Sequence, residues 1–80
     1  MSDPSVADLV RNRLAVLIDA PPATIGDETL FEDLSVDSLM LLELVALIEK
    51  HLGFELPEQH LSRFRTIGDV QRYVASMPAD

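Results

Sequence analysis

The sequence contains no cysteine, which excludes disulfides, thiolate metal sites and a cysteine nucleophile. Glycine occurs only at positions 26, 53 and 68, so there is no loop suited to cradling phosphates. No hydrophobic run reaches the roughly eighteen residues that a membrane-spanning helix needs. The first ten residues lack a basic segment followed by an apolar one, so we expect no signal peptide. These absences predict a cytoplasmic protein that is not bound to a membrane.

Positive charge is also scarce in this chain. Lys and Arg together number six against fourteen Asp and Glu, which gives a formal net charge of −8. Phosphate recognition needs clustered positive charge, so nucleic acids and anionic membrane surfaces are not expected partners. The acidity instead favours protein partners that present basic patches.

Apolar residues are plentiful, at 48% of the eighty residues, which is typical of a folded chain and not of a disordered tail. We therefore expect one domain over residues 1–80, with a core of about 4–76, and a monomer. A domain of this size without disulfides depends on efficient helix packing.

The first segment has the spacing of an amphipathic helix over roughly residues 4–18. Its start is either Asp3-Pro4, as cap and first helical residue, or Ser5 with Asp8 in an arrangement close to a capping box. Apolar residues recur at intervals of three and four, namely Val6, Leu9, Val10, Leu14, Leu17 and Ile18. The residues expected to face water are Asp8, Arg11, Asn12 and Asp19.

The segment over residues 30–53, LFEDLSVDSLMLLELVALIEKHLG, organises the rest of the chain. Its part from 39 to 52 holds ten apolar residues and suits a helix of about four turns, which Gly53 would end. On a helical wheel the expected core face comprises Leu41, Leu44, Val45, Ile48 and Leu52. A second apolar stripe comprises Leu39, Leu42 and Ala46, beside Glu43 and Lys50. A protein of eighty residues cannot easily bury both apolar sides of this helix. The second stripe is therefore either exposed as a contact surface or covered by the preceding loop.

The remaining segments complete an all-α fold. Residues 20–36 read as a long loop, pinned by apolar residues and with a short turn within residues 28–33. A short helical turn is expected at 57–61, with Leu61 and Phe64 facing inward. Thr66 and Asp69 predict a capped last helix over 67–76. We therefore predict a small four-helix bundle of three main helices and one short one, with a long loop between the first and second helices.

The chain offers no catalytic or metal-binding constellation. Ser38 lies where the loop becomes helix, and its nearest titratable neighbour, Asp37, is a poor base unless buried. Thirteen residues of helix place His51 roughly 20 Å from Ser38, and His60 lies beyond it. Both histidines are expected at the surface without a third convergent metal ligand. No independent catalysis is predicted, and on position alone the simplest role for Asp37 and Ser38 is helix capping.

A set of ordered motifs changes this interpretation of Ser38. The sequence has L-F-x-D-L at residues 30–34, D-S-L at 37–39, an acidic residue at Glu43, G-F-x-L-P at 53–57 and T-I-x-D-V at 66–70. In this order and spacing, and in a chain of this length and acidity, the motifs resemble acyl and peptidyl carrier proteins. The resemblance covers nearly the whole chain and is most specific over residues 30–57.

The resemblance implies that Ser38 accepts 4'-phosphopantetheine from coenzyme A, through a separate phosphopantetheinyl transferase that uses magnesium. Asp37 would assist at the transferase site. The thiol of the arm would then hold an acyl or aminoacyl group as a thioester. Further implied partners are a loading ligase or acyltransferase and downstream synthase or transferase enzymes. The residues implied to contact these partners are Leu39, Met40, Leu42, Glu43, Ala46 and Glu49.

Two departures bear on the pathway. Fatty-acid carriers usually have an acidic residue where this chain has Met40, and favour one where it has Lys50. The less acidic helix therefore favours a free-standing carrier of polyketide or nonribosomal peptide type. The alternatives are a housekeeping fatty-acid carrier, a D-alanyl or other aminoacyl carrier, and, from another class, a helical adaptor without a prosthetic group.

Overall fold

The computed structural model describes residues 5–77, and over that range the chain is all helix and loop. Three α-helices are present: α1 (Val6–Ile18), α2 (Ser38–Leu52) and α3 (Ile67–Ala75). Three short 3₁₀ segments lie between them, at Pro22–Thr24, Phe31–Leu34 and Glu58–Arg63. The predicted all-α fold, with three main helices and a short one before the last, is confirmed.

Helix α1 begins with a side-chain cap. The Ser5 hydroxyl oxygen accepts a hydrogen bond from the Asp8 amide at 3.1 Å, so the second of the two predicted starts is the observed one, while Asp3-Pro4 lies outside the described residues. The helix ends at Asp19, which adopts the left-handed conformation with φ of 56°. Val10 and Leu14 are fully enclosed, which confirms the predicted apolar face.

The long loop between α1 and α2 is anchored to α1 by one arginine. Arg11 Nε donates to the Ile25 carbonyl oxygen at 3.0 Å, and its guanidinium group also contacts the Asp27 carboxylate. The prediction that Arg11 faces water is therefore wrong, because the side chain lies across the loop and is only 22% exposed. Ile25 and Phe31, which belong to this loop, are buried.

The loop is also anchored to the segment that begins α3. The Gly68 amide donates to the Asp27 carbonyl at 2.7 Å, and the Phe31 amide donates to the Arg65 carbonyl at 2.8 Å. A Cβ atom at Gly68 would lie 3.1 Å from that Asp27 oxygen, so the close approach favours glycine. The 3₁₀ turn at Phe31–Leu34 overlaps the end of the turn predicted within residues 28–33 and extends one residue beyond it.

Helix α2 turns one face into the core. Leu44, Val45 and Ile48 are buried, and Leu41 and Leu52 pack partly buried against them, as the wheel predicted. The helix ends at Gly53, which has φ of 86°. The buried residues from all parts of the fold form one cluster: Val6, Ala7, Val10, Leu14, Ala15, Ile25, Phe31, Leu44, Val45, Ile48, Leu56, Phe64, Ile67 and Val70.

The connection from α2 to α3 differs from the prediction in the length of its helical turn and in the burial of His60. The 3₁₀ segment Glu58–Arg63 is longer than the turn predicted at 57–61. Leu61 is half-buried and Phe64 is buried, as predicted. His60 is not a freely exposed residue: it is half-buried, and its Nδ1 lies 2.7 Å from the Tyr73 hydroxyl. The surface prediction is wrong for His60 and right for His51.

Helix α3 begins with the predicted capping box. Thr66 Oγ1 accepts from the Asp69 amide at 3.0 Å, and Asp69 Oδ2 accepts from the Thr66 amide at 3.1 Å. The hydrogen bond from Arg72 to Asp69, at 2.7 Å, is the largest effect on the pKa of the Asp69 carboxyl and lowers it. Burial, the second-largest effect, raises the pKa, while smaller effects of the hydrogen bonds to the Arg65 amide and Thr66 lower it, and the net direction is downward.

This network predicts an acid-sensitive contribution to stability. The folded-state pKa of Asp69 lies below its ordinary value of 3.8, so the contribution is complete above the unfolded-state pKa and is lost as pH falls through the folded-state pKa. We expect Asp69→Asn to lower the free energy of unfolding by about 1 kcal/mol at neutral pH. The difference from wild type should shrink once the pH falls below 3.8.

Urea unfolding followed by circular dichroism across this pH range measures the difference. Asp33→Asn is the matched control, because Asp33 is exposed and makes no ion pair within residues 5–77. A deficit for Asp69→Asn that stays constant or grows in acid would contradict the assignment.

Candidate functional site

The start of α2 is capped by Asp37 and not by Ser38. Asp37 Oδ1 accepts a hydrogen bond from the Met40 amide at 2.9 Å, and its main-chain carbonyl accepts from the Leu41 amide at 2.9 Å. Aspartate is a preferred N-cap because its side chain satisfies an amide that has no partner inside the helix. Of the two residues for which capping was the simplest interpretation, only Asp37 has that role.

Ser38 is the first residue of α2 and is exposed. Its hydroxyl forms no hydrogen bond with any other residue between 5 and 77. Because Asp37 already caps the helix, the Ser38 hydroxyl is not needed for the fold. It is a free alcohol at the positive end of a helix of fifteen residues, where negative charge is stabilised.

The turn before Asp37 fixes the direction from which the chain enters α2. Ser35 adopts the left-handed conformation with φ of 61°, and the Val36 amide donates to the Phe31 carbonyl at 3.1 Å. Leu34 and Val36 are half-buried and pack against the core. The exposed hydroxyl of Ser38 therefore lies next to an anchored turn.

A stripe of apolar side chains extends from Ser38 along the outer face of α2. Leu39 is 76% exposed and Leu42 is 54% exposed, and Ala46 is exposed on the same side. Of the two possibilities that the sequence left open, the exposed stripe is therefore the observed one, and the preceding loop does not cover it. Met40, at the edge of the stripe, is half-buried.

The two acidic residues expected beside this stripe differ in their surroundings. Glu43 is exposed, and its nearest cation is Arg13, with 3.7 Å between Oε1 and the guanidinium nitrogen. Glu49 is partly buried, and its Oε2 accepts a hydrogen bond from the Leu56 amide at 2.7 Å. That contact joins α2 to the chain beyond Gly53 and occupies the carboxylate. A docking role for Glu49 stays a prediction, and this contact competes with it.

Histidines and possible metal ligands were the other groups to place relative to Ser38. His51 lies near the opposite end of α2 from Ser38 and is exposed. Between residues 5 and 77 there is no group of three histidine, aspartate or glutamate side chains that could hold a metal ion. None of the helices described is long and apolar enough to cross a bilayer. The arrangement offers one accessible hydroxyl and a neighbouring apolar surface.

Comparison with known families assigns the chain to one of them. Residues 6–74 match the family model described as the phosphopantetheine attachment site. The chain belongs to this family of carrier proteins. The carrier domain holds 4'-phosphopantetheine as a covalent prosthetic group, and it is not itself an enzyme.

Curated relatives of the carrier domain include proteins of two kinds. The acyl carrier protein of Wolinella succinogenes is 31% identical over 71 residues, covering 88% of this chain and 93% of the relative. The acyl carrier protein of Campylobacter hominis is 36% identical over 72 residues, covering 90% and 87%. The non-reducing polyketide synthase curS2 of Aspergillus terreus is 31% identical over 70 residues, but the chain spans only 3% of that protein.

A solved structure has the same fold. The protein titled mupirocin didomain ACP superimposes with a TM-score of 0.77 over the whole of this chain and 45% of its own. The sequence identity is 22%. The comparison therefore supports the fold of the carrier domain and nothing finer.

The division of roles at the start of α2 can be tested by stability. Asp37→Ala removes the side-chain cap and should lower the free energy of unfolding by about 1 kcal/mol. Ser38→Ala should change it by less than about 0.5 kcal/mol, because the hydroxyl has no partner and alanine favours helix. Chemical unfolding of the two variants and wild type, all without the prosthetic group, measures both effects. Equal destabilisation by the two variants would show that Ser38 also caps the helix.

Proposed function

We propose that Ser38 is the residue to which the phosphopantetheine arm is attached, and that the loaded arm presents acyl or aminoacyl groups to partner enzymes. The observation that supports this most directly is the exposed hydroxyl of Ser38 beside a cap formed by another residue. Modification of a hydroxyl that the fold uses would cost a hydrogen bond. Modification of Ser38 costs the fold none.

The residues around Ser38 fit a phosphodiester. The phosphate would lie at the N-terminus of α2, where unpaired amides and the helix dipole favour an anion. The side chain points into solvent and not into the core, so an extended arm has room. Asp37 is exposed as well, and we assign it a second role toward the magnesium ion of the transferase.

The chain supplies a nucleophilic oxygen but no base to activate it. On attachment, the Ser38 hydroxyl loses its proton, and its oxygen bonds to the phosphorus of coenzyme A that carries the pantetheine. The pyrophosphate bond breaks, and adenosine 3',5'-bisphosphate leaves. We assign removal of the proton to the transferase, because the nearest carboxylate, Asp37, is exposed and therefore a poor base. When bound, the arm provides the thiol that forms thioesters, which a chain without cysteine cannot provide.

We propose the exposed stripe as the docking surface for the transferase, the loading ligase or acyltransferase, and the downstream synthase or transferase enzymes. Carrier domains of this family interact with enzymes of these kinds. Leu39 and Leu42 supply apolar area next to the arm, and Glu43 supplies a charge for a basic patch. An exposed ion pair contributes about 0 to 1 kcal/mol, so the leucines should dominate the affinity.

For the pathway, we propose specialised biosynthesis of polyketide or nonribosomal peptide type. Support comes from the composition of the stripe: its residues between Leu39 and Ala46 include a single acid, and the next acid, Glu49, is engaged with Leu56. With few free acidic residues on the stripe, we expect partner enzymes to dock mainly through apolar contacts. A housekeeping fatty-acid carrier, or an aminoacyl carrier, is the alternative.

The attachment site has a direct test. Incubation with coenzyme A, magnesium and a promiscuous phosphopantetheinyl transferase should add one phosphopantetheine to the wild type and none to Ser38→Ala, as measured by intact-protein mass spectrometry. Asp37→Asn should be modified more slowly.

Ser35→Ala is the matched control, because Ser35 is an exposed serine three residues earlier. It should be modified like the wild type. A mass increase that survives in Ser38→Ala would overturn the assignment, and an unmodified wild type would favour the helical adaptor.

The pathway proposal predicts how the domain responds to its cargo. A housekeeping carrier must shelter an alkyl chain between its helices, and burial of four methylene groups would stabilise the fold by about 3 kcal/mol. We expect instead that an octanoyl group on the arm leaves the melting temperature equal to that of the acetyl-loaded control. A higher melting temperature for the octanoyl form would favour the housekeeping alternative.

A further inference from the structure

A second surface lies along the seam between α1 and α2, on the side of α2 that faces α1. Its floor is apolar and comes from both helices: Leu9 and Val16 of α1 and Leu47 of α2. Val16 is 73% exposed, and Leu9 and Leu47 are half-buried. We name this surface the seam groove.

The rim of the seam groove carries positive charge in a protein of net charge −8. Its cations are Arg13 and Lys50, and His51 also lines it, while Glu43, the acidic residue beside the exposed stripe, lies at its edge. Arg13 forms a long ion pair with Glu43, with 3.7 Å between the guanidinium nitrogen and the carboxylate oxygen. Lys50 is exposed and makes no ion pair within residues 5–77, so its charge is available to a partner.

The neighbourhood of Lys50 contrasts with that of Arg11 and Arg72. Arg11 is engaged by Asp8 and Asp27, and Arg72 is engaged by Asp69 and Glu28. Through these ion pairs, Arg11 joins the long loop to α1 and Arg72 joins it to α3. Lys50 has no such structural use.

We propose that the seam groove binds an acidic amphipathic helix of a partner protein. Leu9 and Val16 are seven residues apart on α1, which corresponds to about 10 Å along the helix axis. That length fits two turns of a third helix laid along the seam, with apolar side chains on the floor and carboxylates against the rim. The part of the groove beside Lys50 and His51 has a volume of about 400 Å³, enough for one large apolar side chain.

The position of the seam groove gives the contact a distinct use. Lys50 lies twelve residues after Ser38 on α2, or about 18 Å along the helix axis. A helix bound on the α1 side of this end would leave Ser38 and Leu39 accessible and would border the exposed stripe only at Glu43 and Ala46. The domain could then be held on one protein while the residues around Ser38 meet another.

Two synthetic peptides test the proposal on the full-length chain. Both form helices of about four turns with leucines at identical positions, flanked by glutamate in one peptide and by lysine in the other. In amide-resolved NMR titrations, the glutamate peptide should shift the signals of Leu9, Arg13, Leu47 and Lys50. The lysine peptide should not shift them at the same concentration.

Charge-changing variants assign the interaction to the groove. Lys50→Glu should weaken binding of the glutamate peptide roughly fivefold or more, and Lys50→Gln by less. Arg63→Glu is the matched control, because Arg63 is exposed on another part of the fold, and it should bind like the wild type. All three should accept phosphopantetheine like the wild type, which separates failure here from failure of the Ser38 assignment.

Three results would overturn the proposal. The first is that both peptides shift the groove signals equally, which would show that charge does not select the partner. The second is that Arg63→Glu weakens binding as much as Lys50→Glu does. The third is that the glutamate peptide shifts no groove signal at a concentration on the order of 1 mM, where a contact of about 4 kcal/mol would be half occupied.

Discussion

The hydrogen bond from the Met40 amide to the Asp37 carboxylate, at 2.9 Å, is the interaction on which the rest of the site depends. It satisfies the orphan amide of the first turn of α2 and so relieves Ser38 of that role. Two adjacent polar residues at a helix start would otherwise compete to be the cap. Because aspartate provides it, the serine is left as an exposed alcohol beside an apolar stripe, an arrangement suited to a covalent attachment that does not disturb the core.

This arrangement needs the chain to enter α2 in one direction, and the long loop supplies that constraint. Arg11 joins the loop to α1 through the Ile25 carbonyl, while the Gly68 amide joins it to α3 through the Asp27 carbonyl. Buried Phe31 anchors the middle of the loop. The loop is thus fixed to both neighbouring helices. The core holds the helices together, and these polar contacts set where α2 begins.

Local signals predicted most of the fold. Apolar spacing of three and four located the helices, Gly53 marked the end of α2, and Thr66 with Asp69 marked the start of α3 at residue 67. The packing argument, that eighty residues cannot easily surround a helix that is apolar on two sides, left the stripe at Leu39 either exposed or covered by the loop, and the structure shows it exposed.

The sequence did not predict contacts between residues that are far apart along the chain. Nothing local to Arg11 indicates that it crosses to a loop fourteen residues away, and the bond from the Leu56 amide to Glu49 depends on how the chain turns after Gly53. The capping role of Asp37 over Ser38 was likewise undecided, because both residue types favour that position.

The amide spectrum of the uniformly labelled protein, recorded before and after attachment of phosphopantetheine, tests most directly whether the fold is independent of the Ser38 hydroxyl. The account predicts shifts confined to the start of α2 and the adjoining stripe, with the signals of Leu14, Ile48 and Val70 unchanged. Shifts throughout these core residues would contradict it.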